Sequence, residues 1–316
     1  MLLKQSESRM SKPTINSSMT TIEWVMLITL SVVFGGSFFF VGVIVQDMPP
    51  KTIVFFRVLI AALALHLFMR VTGRKIPWTG TAWFAFFAMG LLNNVIPFSL
   101  IVWGQTQIAS GVASILNATT PLFTVMIAHA LTTDEKLTIT RVSGIVAGFI
   151  GVAIMIGGGA IADGAATALA QIACIGAAIS YGFASVFGKR FKGMTISPYA
   201  VATGQVTAST IMMFPIMMIF DQPWTLSMPS TQSIFALLAL GLISSAFAYI
   251  LFFSILDGAG ATNLSLVTFL VPVSAIFLGI VFLGEILLPR HLAGLGLIIV
   301  GLILVDGRVL KRRVTA

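Results

Sequence analysis

Polar side chains that could bind a small solute occur inside long apolar stretches of this sequence. Asn93 and Asn94 stand together, and Asn94 comes four residues before Phe98. Other apolar runs are interrupted by Asn117, Gln205 and Ser245. Amide and hydroxyl groups that face a water-filled cavity would bind an ammonium or carboxylate group. The same groups also join membrane helices to one another, and both roles stay open for each residue.

Aromatic residues in the same stretches could contact a substrate ring or its cationic group. Tyr181 and Tyr249 lie deep in apolar runs, where each hydroxyl needs a partner. Pro97 lacks a backbone N–H, so a kink there would free carbonyl acceptors beside the paired asparagines. The predicted substrate-binding residues are Asn93, Asn94, Phe98, Asn117, Tyr181, Ser245 and Tyr249.

Arg57 is the most costly residue to place, because a charge in the membrane core costs at least ~2.5–3.5 kcal/mol. It could bind a substrate carboxylate, cap helix carbonyls or pair with Asp47. Of these roles we expect a structural one, which is the capping of helix carbonyls or the pair with Asp47.

The composition indicates the elements that must position these residues. The chain has 316 residues, of which 58% are hydrophobic and 9% charged, whereas a soluble domain carries about 25% charged residues. The apolar residues form blocks of the length that crosses a bilayer as a helix, about 20 residues. We therefore predict an all-α polytopic membrane protein. Its ten helices are predicted at 22–45, 52–71, 79–103, 108–131, 139–156, 167–187, 197–220, 230–256, 259–283 and 291–305.

Other classes of protein fit the sequence poorly. The single cysteine, Cys174, allows no internal disulfide and no cysteine-based metal cluster. No HExxH, GxSxG or phosphate-binding loop occurs, so we expect no enzyme activity, no cofactor and no metal site. The net charge of +8 comes from short loops, which is typical of membrane topology and not of nucleic-acid binding. The expected partners are a small-molecule substrate and membrane lipid.

The two halves of the chain repeat one pattern. Pro121 and Pro272 are 151 residues apart, each in the middle of an apolar run, and Gly144 and Gly294 are 150 apart. The same register places Asn93-Asn94 opposite Ser244-Ser245, Phe98 opposite Tyr249 and Arg57 opposite Gln205. Five helices per half is an odd number, so the second copy enters the membrane in the opposite sense. We predict two inverted repeats around a central cavity, with Pro121 and Pro272 as hinges.

The predicted organisation is a tail at 1–20, a first repeat at 21–157, a linker at 158–166, a second repeat at 167–306 and a basic tail at 307–316. Of the 18 Lys and Arg, all but Lys51, Arg57 and Arg290 fall on one side of the membrane in this arrangement. Because cytoplasmic loops are rich in Lys and Arg, we expect both termini in the cytoplasm. A GxxxG pattern at 144–148 is expected to pack within the chain, which leaves a functional monomer.

Three kinds of segment carry a resemblance to a known family. They are FGGSFF at 34–39, FFRVLIAA at 55–62, and the two proline-containing stretches that end in DEKLT (134–138) and GEILL (284–288). In order and spacing the chain resembles the drug/metabolite transporter superfamily, and within it the EamA-like ten-helix exporters, closest to bacterial exporters of aromatic and other amino acids. The resemblance implies export of a small metabolite across the bacterial inner membrane by alternating access. It also implies a cavity lined mainly by helices 1, 3, 4, 6, 8 and 9.

Two alternatives to amino-acid export remain. An exporter of drugs or cationic dyes would need acidic or wholly aromatic cavity walls, and a non-transporting membrane protein would not need an inverted repeat. The carboxylates Glu23, Asp257, Glu285 and Asp306 all lie near helix ends. We therefore expect export driven by the substrate gradient, or coupling through a group that the sequence does not identify.

Overall fold

The fold is described by a computed structural model, which covers residues 20–132, 137–157 and 164–306. The predicted tail 307–316, nearly all of the tail 1–20, most of the linker 158–166 and Glu135 lie outside these ranges. The helices of the first half, α1 to α5, are Thr21–Ile44, Pro50–Val71, Gly80–Gly104, Ser110–Leu131 and Ile139–Gly157. The helices of the second half, α6 to α10, are Ala165–Gly188, Pro198–Phe220, 231–258, 260–283 and Pro289–Asp306.

The helices have the length and the surface of membrane spans. Nine helices in the described ranges are long and apolar enough to cross a bilayer, and Val267–Leu283 of α9 is a shorter apolar helix. Large apolar side chains such as Leu63, Phe84 and Phe235 lie on the outside of the bundle and are more than 60% exposed. A lipid-facing surface accounts for this exposure, since hydrocarbon does not penalise it. The predicted ten-helix polytopic fold is confirmed.

Two pairs of equivalent helices are interrupted at similar places. In α3, the π-helical segment Leu91–Val95 separates Gly80–Gly90 from Ile96–Gly104. In α8, the π-helical segment Leu242–Phe247 separates Thr231–Gly241 from Ala248–Gly258. The sequence predicted the equivalence of these stretches but not their π geometry.

The breaks in α4 and α9 precede the prolines that were predicted to cause them. In α4, Ser110–Asn117 ends before Thr120–Leu131 begins, and Pro121 lies in the first turn of the second segment, where its missing N–H is tolerated. The Thr120 hydroxyl donates to the Asn117 carbonyl at 2.7 Å, which replaces the bond that Pro121 cannot make. In α9 the break falls at 265–266, six residues before Pro272. The hinge role of both prolines stays a prediction.

Glycine contacts between α5 and α10 show the inverted relation of the two halves. A Cβ on Gly144 would lie 2.6 Å from the Gly301 carbonyl oxygen, and one on Gly151 would lie 2.6 Å from that of Gly294. Gly144 is the repeat equivalent of Gly294, and Gly151 of Gly301, so exchanging the halves maps one contact onto the other. These glycines pack within the chain, as predicted for the GxxxG pattern.

The contacts of α1 with α9 and of α6 with α4 follow the same exchange. A Cβ on Gly35 of α1 would lie 2.8 Å from the Ala275 backbone nitrogen. A Cβ on Gly182 of α6 would lie 3.2 Å from the Thr124 backbone nitrogen. Ala275 and Thr124 are 151 residues apart, the same spacing as Pro121 and Pro272. The packing is therefore related by a pseudo-twofold exchange of oppositely inserted repeats.

A third pair of glycines lets the two helices that carry the polar residues pack closely on their neighbours. A Cβ on Gly90 would lie 2.7 Å from the Gln205 carbonyl oxygen, so α3 packs directly on the backbone of α7. A Cβ on Gly241 would lie 2.6 Å from Ile60, so α8 packs closely on α2. Both glycines immediately precede a π-helical segment, and small residues let membrane helices approach closely.

Candidate functional site

The π-helical segments place polar residues near the middle of α3 and α8. In the first segment the Ile96 N–H bonds to the Leu91 carbonyl, five residues back. The Ser180 hydroxyl of α6 donates to the Leu92 carbonyl at 2.7 Å. In a π-helix this carbonyl would accept from the N–H of residue 97, but Pro97 has no N–H. In the second segment the Ser245 hydroxyl donates to the Leu240 carbonyl at 2.9 Å. Single π turns inside α-helices are frequent at functional sites.

Side chains from the first π segment join α3 to α7 and α8. Asn93 Nδ2 donates to Gln205 Oε1 (3.1 Å) and to the Tyr249 hydroxyl (3.3 Å). Asn94 Nδ2 donates to Ser209 Oγ (3.0 Å), and the Tyr249 hydroxyl donates to Asn94 Oδ1 (2.9 Å). Asn94 and Gln205 are 0% and 1% exposed. The result is a buried network of neutral hydrogen-bonding groups, each with a partner.

Arg57 of α2 continues this network toward the second π segment. Its Nε donates to Ser245 Oγ at 3.0 Å, and its guanidinium carbon lies 3.7 Å from the centre of the Phe98 ring. Arg57 is 6% exposed, and no carboxylate of the described residues forms an ion pair with it. The site therefore contains a buried cation held by an aromatic face and a neutral hydroxyl.

One known protein family matches most of this chain. The EamA-like transporter family matches residues 21–157 and 168–306, which together are most of the chain. The chain belongs to the EamA-like transporter family. The family resemblance predicted from the sequence is confirmed, and the molecule is a multi-pass membrane transporter.

Relatives of this EamA-like transporter match over most of their length. The uncharacterized transporter YoaV of Bacillus subtilis is 25% identical over 281 residues, which cover 87% of this chain and 94% of YoaV. The uncharacterized inner membrane transporter YedA of Escherichia coli (strain K12) is 25% identical, with 88% and 89% covered. A probable terminal-alkyne amino-acid exporter of Streptantibioticus cattleyicolor is 28% identical, with 68% and 70% covered. A solved crystal structure shares the fold, with a TM-score of 0.64, 17% identity and coverage of 92% of this chain and 99% of that chain.

The structure brings six of the seven predicted site residues to one region of the transporter. Five of them lie in or against the network: Asn93, Asn94, Phe98, Ser245 and Tyr249. Tyr181 packs against the cluster of buried residues that contains Phe98. Asn117 is apart from this network; it lies at the break of α4, and its Oδ1 is buried with no hydrogen-bond partner in the described ranges. Substrate binding by all seven residues stays a prediction.

Two of the three roles considered for Arg57 do not occur among the described residues. The structure pairs it with neither Asp47 nor helix carbonyls, because Asp47 is bound elsewhere and Ser245 and Phe98 hold the guanidinium. Gln205 was considered only as a candidate polar residue, and Ser209 was missed. The useful signal was present, since the repeat register sets Arg57 opposite Gln205 and both contact the π segment of the other repeat.

Three carboxylates cap helices at one end of the bundle, which we name the carboxylate face. Asp47 accepts from the Ser230 N–H and from the hydroxyls of Ser230 and Ser233 at the start of α8. Glu285 accepts from the Ser110 and Gly111 N–H groups at the start of α4. Asp221 accepts from the Thr52 N–H and hydroxyl at the start of α2.

Each carboxylate at the carboxylate face thus ties a loop to a distant helix N-terminus, where negative charge is favoured. The hydrogen bonds from Ser230 and Ser233 hold the pKa of Asp47 below its usual value of 3.8. Asp47 is therefore ionised at neutral pH.

Proposed function

We propose that this EamA-like transporter exports amino acids from the cytoplasm by alternating access, and that Arg57 binds the substrate carboxylate. The observation that carries the proposal is the buried guanidinium of Arg57, which has no carboxylate partner among the described residues. A charge in the membrane core is costly and marks a functional group by default. A substrate carboxylate would supply the missing anion, and a guanidinium binds a carboxylate through two parallel hydrogen bonds.

The neighbours of Arg57 suit the rest of an amino acid. The amide and hydroxyl oxygens of Asn93, Asn94 and Tyr249 can accept hydrogen bonds from an ammonium group after a rearrangement of the network. Phe98 and Tyr181 offer rings for an apolar or aromatic side chain. The printed name of the Streptantibioticus relative, a probable amino-acid exporter, supports the same substrate class.

The distribution of charge supports the direction of transport. In the described residues, cationic side chains such as Arg70, Lys75 and Arg190 lie at the end of the bundle opposite the carboxylate face. By the positive-inside rule we assign that end to the cytoplasm and the carboxylate face to the outside. The two halves, related by exchange of their glycine contacts, would then rock to open the site alternately to each side.

A cation exporter is the less favoured function. A buried, unpaired arginine repels a cationic drug or dye, whereas it attracts a carboxylate. In the described ranges no carboxylate lies in the middle of a helix to bind such a cation. Export driven by the substrate gradient remains the expectation for energy coupling.

The test is flux from proteoliposomes that contain the full chain. The substrates are phenylalanine, its amine analogue phenethylamine, its acid analogue 3-phenylpropionate and a cationic dye. We expect flux of phenylalanine and not of the dye. A charged hydrogen bond contributes about 1.5–3 kcal/mol, so Arg57→Gln should reduce phenylalanine flux by about 10- to 100-fold.

Arg70→Gln is the matched control, because it removes the same charge from an exposed position on the same helix. Its flux should stay within about twofold of the wild type. Dye flux without amino-acid flux, or equal effects of Arg57→Gln and Arg70→Gln, would refute the proposal.

A further inference from the structure

A cavity of about 500 Å³ opens at the carboxylate face, and we name it the vestibule. Both repeats contribute to its wall: the end of α1, the loop between α3 and α4, the start of α8 and the end of α9. Its polar lining includes Gln46, Asp47, Gln105, Gln107, Gln232 and Glu285. Arg57 and the residues of its network are not part of this wall. The vestibule is therefore a separate site from the one that carries the proposed function.

The charge of the vestibule is negative. Asp47 and Glu285 line it, and no Lys or Arg of the described residues does. The N-termini of α4 and α8 also meet the wall, and each contributes about half a positive charge. Two full negative charges against two half positive charges leave about one negative charge. Asp47 Oδ2 accepts all of its helix-capping bonds, and Oδ1 has no hydrogen bond from the described residues.

Gln105 supplies an independent observation, an acceptor without a partner. The side chain is 6% exposed and lines the vestibule. Its Nε2 donates to the Phe38 carbonyl at 2.8 Å, which fixes the orientation of the amide. Its Oε1 is buried and accepts no hydrogen bond from the described residues. An unsatisfied buried acceptor costs about 1–3 kcal/mol, and a bound hydrogen-bond donor would remove that cost.

We propose that the vestibule binds the primary ammonium group of an organic solute, with Asp47 and Gln105 as its acceptors. An ammonium group has three donors and one positive charge, which match a carboxylate oxygen, an amide oxygen and a net negative wall. The volume lies within the range of about 300–1,000 Å³ that is usual for small-molecule sites. The proposal does not depend on the proposed function, because the two sites share no residue.

The test is isothermal titration of the full chain in nanodiscs with phenethylamine hydrochloride, at constant ionic strength. Asp47→Asn keeps a side-chain oxygen that can accept from the Ser230 N–H and removes the charge. Gln105→Leu removes the unsatisfied acceptor. Asp221→Asn is the matched control, because Asp221 caps a helix at the same face but does not line the vestibule.

We expect saturable binding by the wild type, and weakening of about tenfold in Asp47→Asn and in Gln105→Leu. Asp221→Asn and Arg57→Gln should bind phenethylamine as the wild type does. Equal binding of 3-phenylpropionate or ammonium chloride would overturn the proposal, as would no binding or an equal loss in Asp221→Asn. A loss in Arg57→Gln alone would place the probe at the other site and overturn this inference without touching the proposed function.

Discussion

The two repeats build the same backbone around the buried network and place different chemistry on it. In the first repeat the π segment carries Asn93 and Asn94, which bond to α7. In the second repeat the equivalent segment carries Ser245, which bonds to Arg57 of α2. Each π segment follows a glycine that brings its helix against the other repeat.

The difference between the repeats lies in a few side chains. Arg57 and Gln205 occupy equivalent places on α2 and α7, and each contacts the π segment of the other repeat. Phe98 and Tyr249 are likewise equivalent, and only the tyrosine has a hydroxyl to bond with Asn94. The backbone of both repeats forms a π segment. Differences at single positions, such as Arg57 against Gln205, make one side of the buried network charged and the other neutral. An asymmetric solute with a carboxylate at one end suits such a site.

The largest expected effect comes from adding a methyl group where α3 packs directly against the backbone of α7. Gly90→Ala places a methyl group 2.7 Å from the Gln205 carbonyl oxygen, and a backbone atom cannot move aside as the end of a side chain can. We expect the free energy of unfolding to fall by about 1–3 kcal/mol, as for other overpacked sites. The measurement is reversible denaturation in mixed micelles.

Gly296→Ala is the control for Gly90→Ala, because it lies inside α10 with no atom within 4 Å of the added methyl group. It should be neutral or stabilising, since alanine favours helix by about 0.5–1 kcal/mol over glycine. If Gly90→Ala were as well tolerated as Gly296→Ala, the packing glycines would not be what holds the π segments in place.

Much of this fold could be predicted from the sequence, because the causes are local or periodic. Long apolar blocks and the spacing from Pro121 to Pro272 predict ten helices in two repeats. The π geometry could not be predicted, since it depends on a tertiary bond such as that from Ser180 to the Leu92 carbonyl. The contacts of Arg57 could not be predicted for a similar reason. Its partners Phe98 and Ser245 are distant in sequence, and only the repeat register hinted at them.

A smaller effect is expected from replacing Pro121, which lies closer to the break of its helix than Pro272 does. Replacing Pro121 with alanine restores an N–H that can compete with Thr120 for the Asn117 carbonyl, and so favours a continuous α4. If the break is a hinge, phenylalanine flux should fall by about two- to fivefold, since hinge changes alter turnover without changing the site. Pro272→Ala should have less effect, because the break of α9 is farther from that proline.

Pro215→Ala is the control for these two variants. Pro215 lies inside α7 on an exposed face, away from both breaks. Unaltered flux in Pro121→Ala would end the hinge hypothesis, and an equal loss in all three variants would indicate a general effect on folding.

The smallest expected effect tests the neutral side of the network, where Tyr249→Phe makes the second repeat match Phe98 of the first. The change removes one bond to Asn94 and one from Asn93, and hydrogen bonds between membrane helices contribute about 0.6 kcal/mol on average. We expect each bond to contribute about 0.6 kcal/mol to the free energy of unfolding, so a double-mutant cycle with Asn94→Ala should show a coupling energy of about that size for the one bond between them. Tyr199→Phe, which loses a contact with Ser254 outside the network, should show no coupling to Asn94. A cycle without coupling for Tyr249 would mean that the hydroxyl does not distinguish the two repeats energetically, and that the asymmetry of the site rests on Arg57 alone.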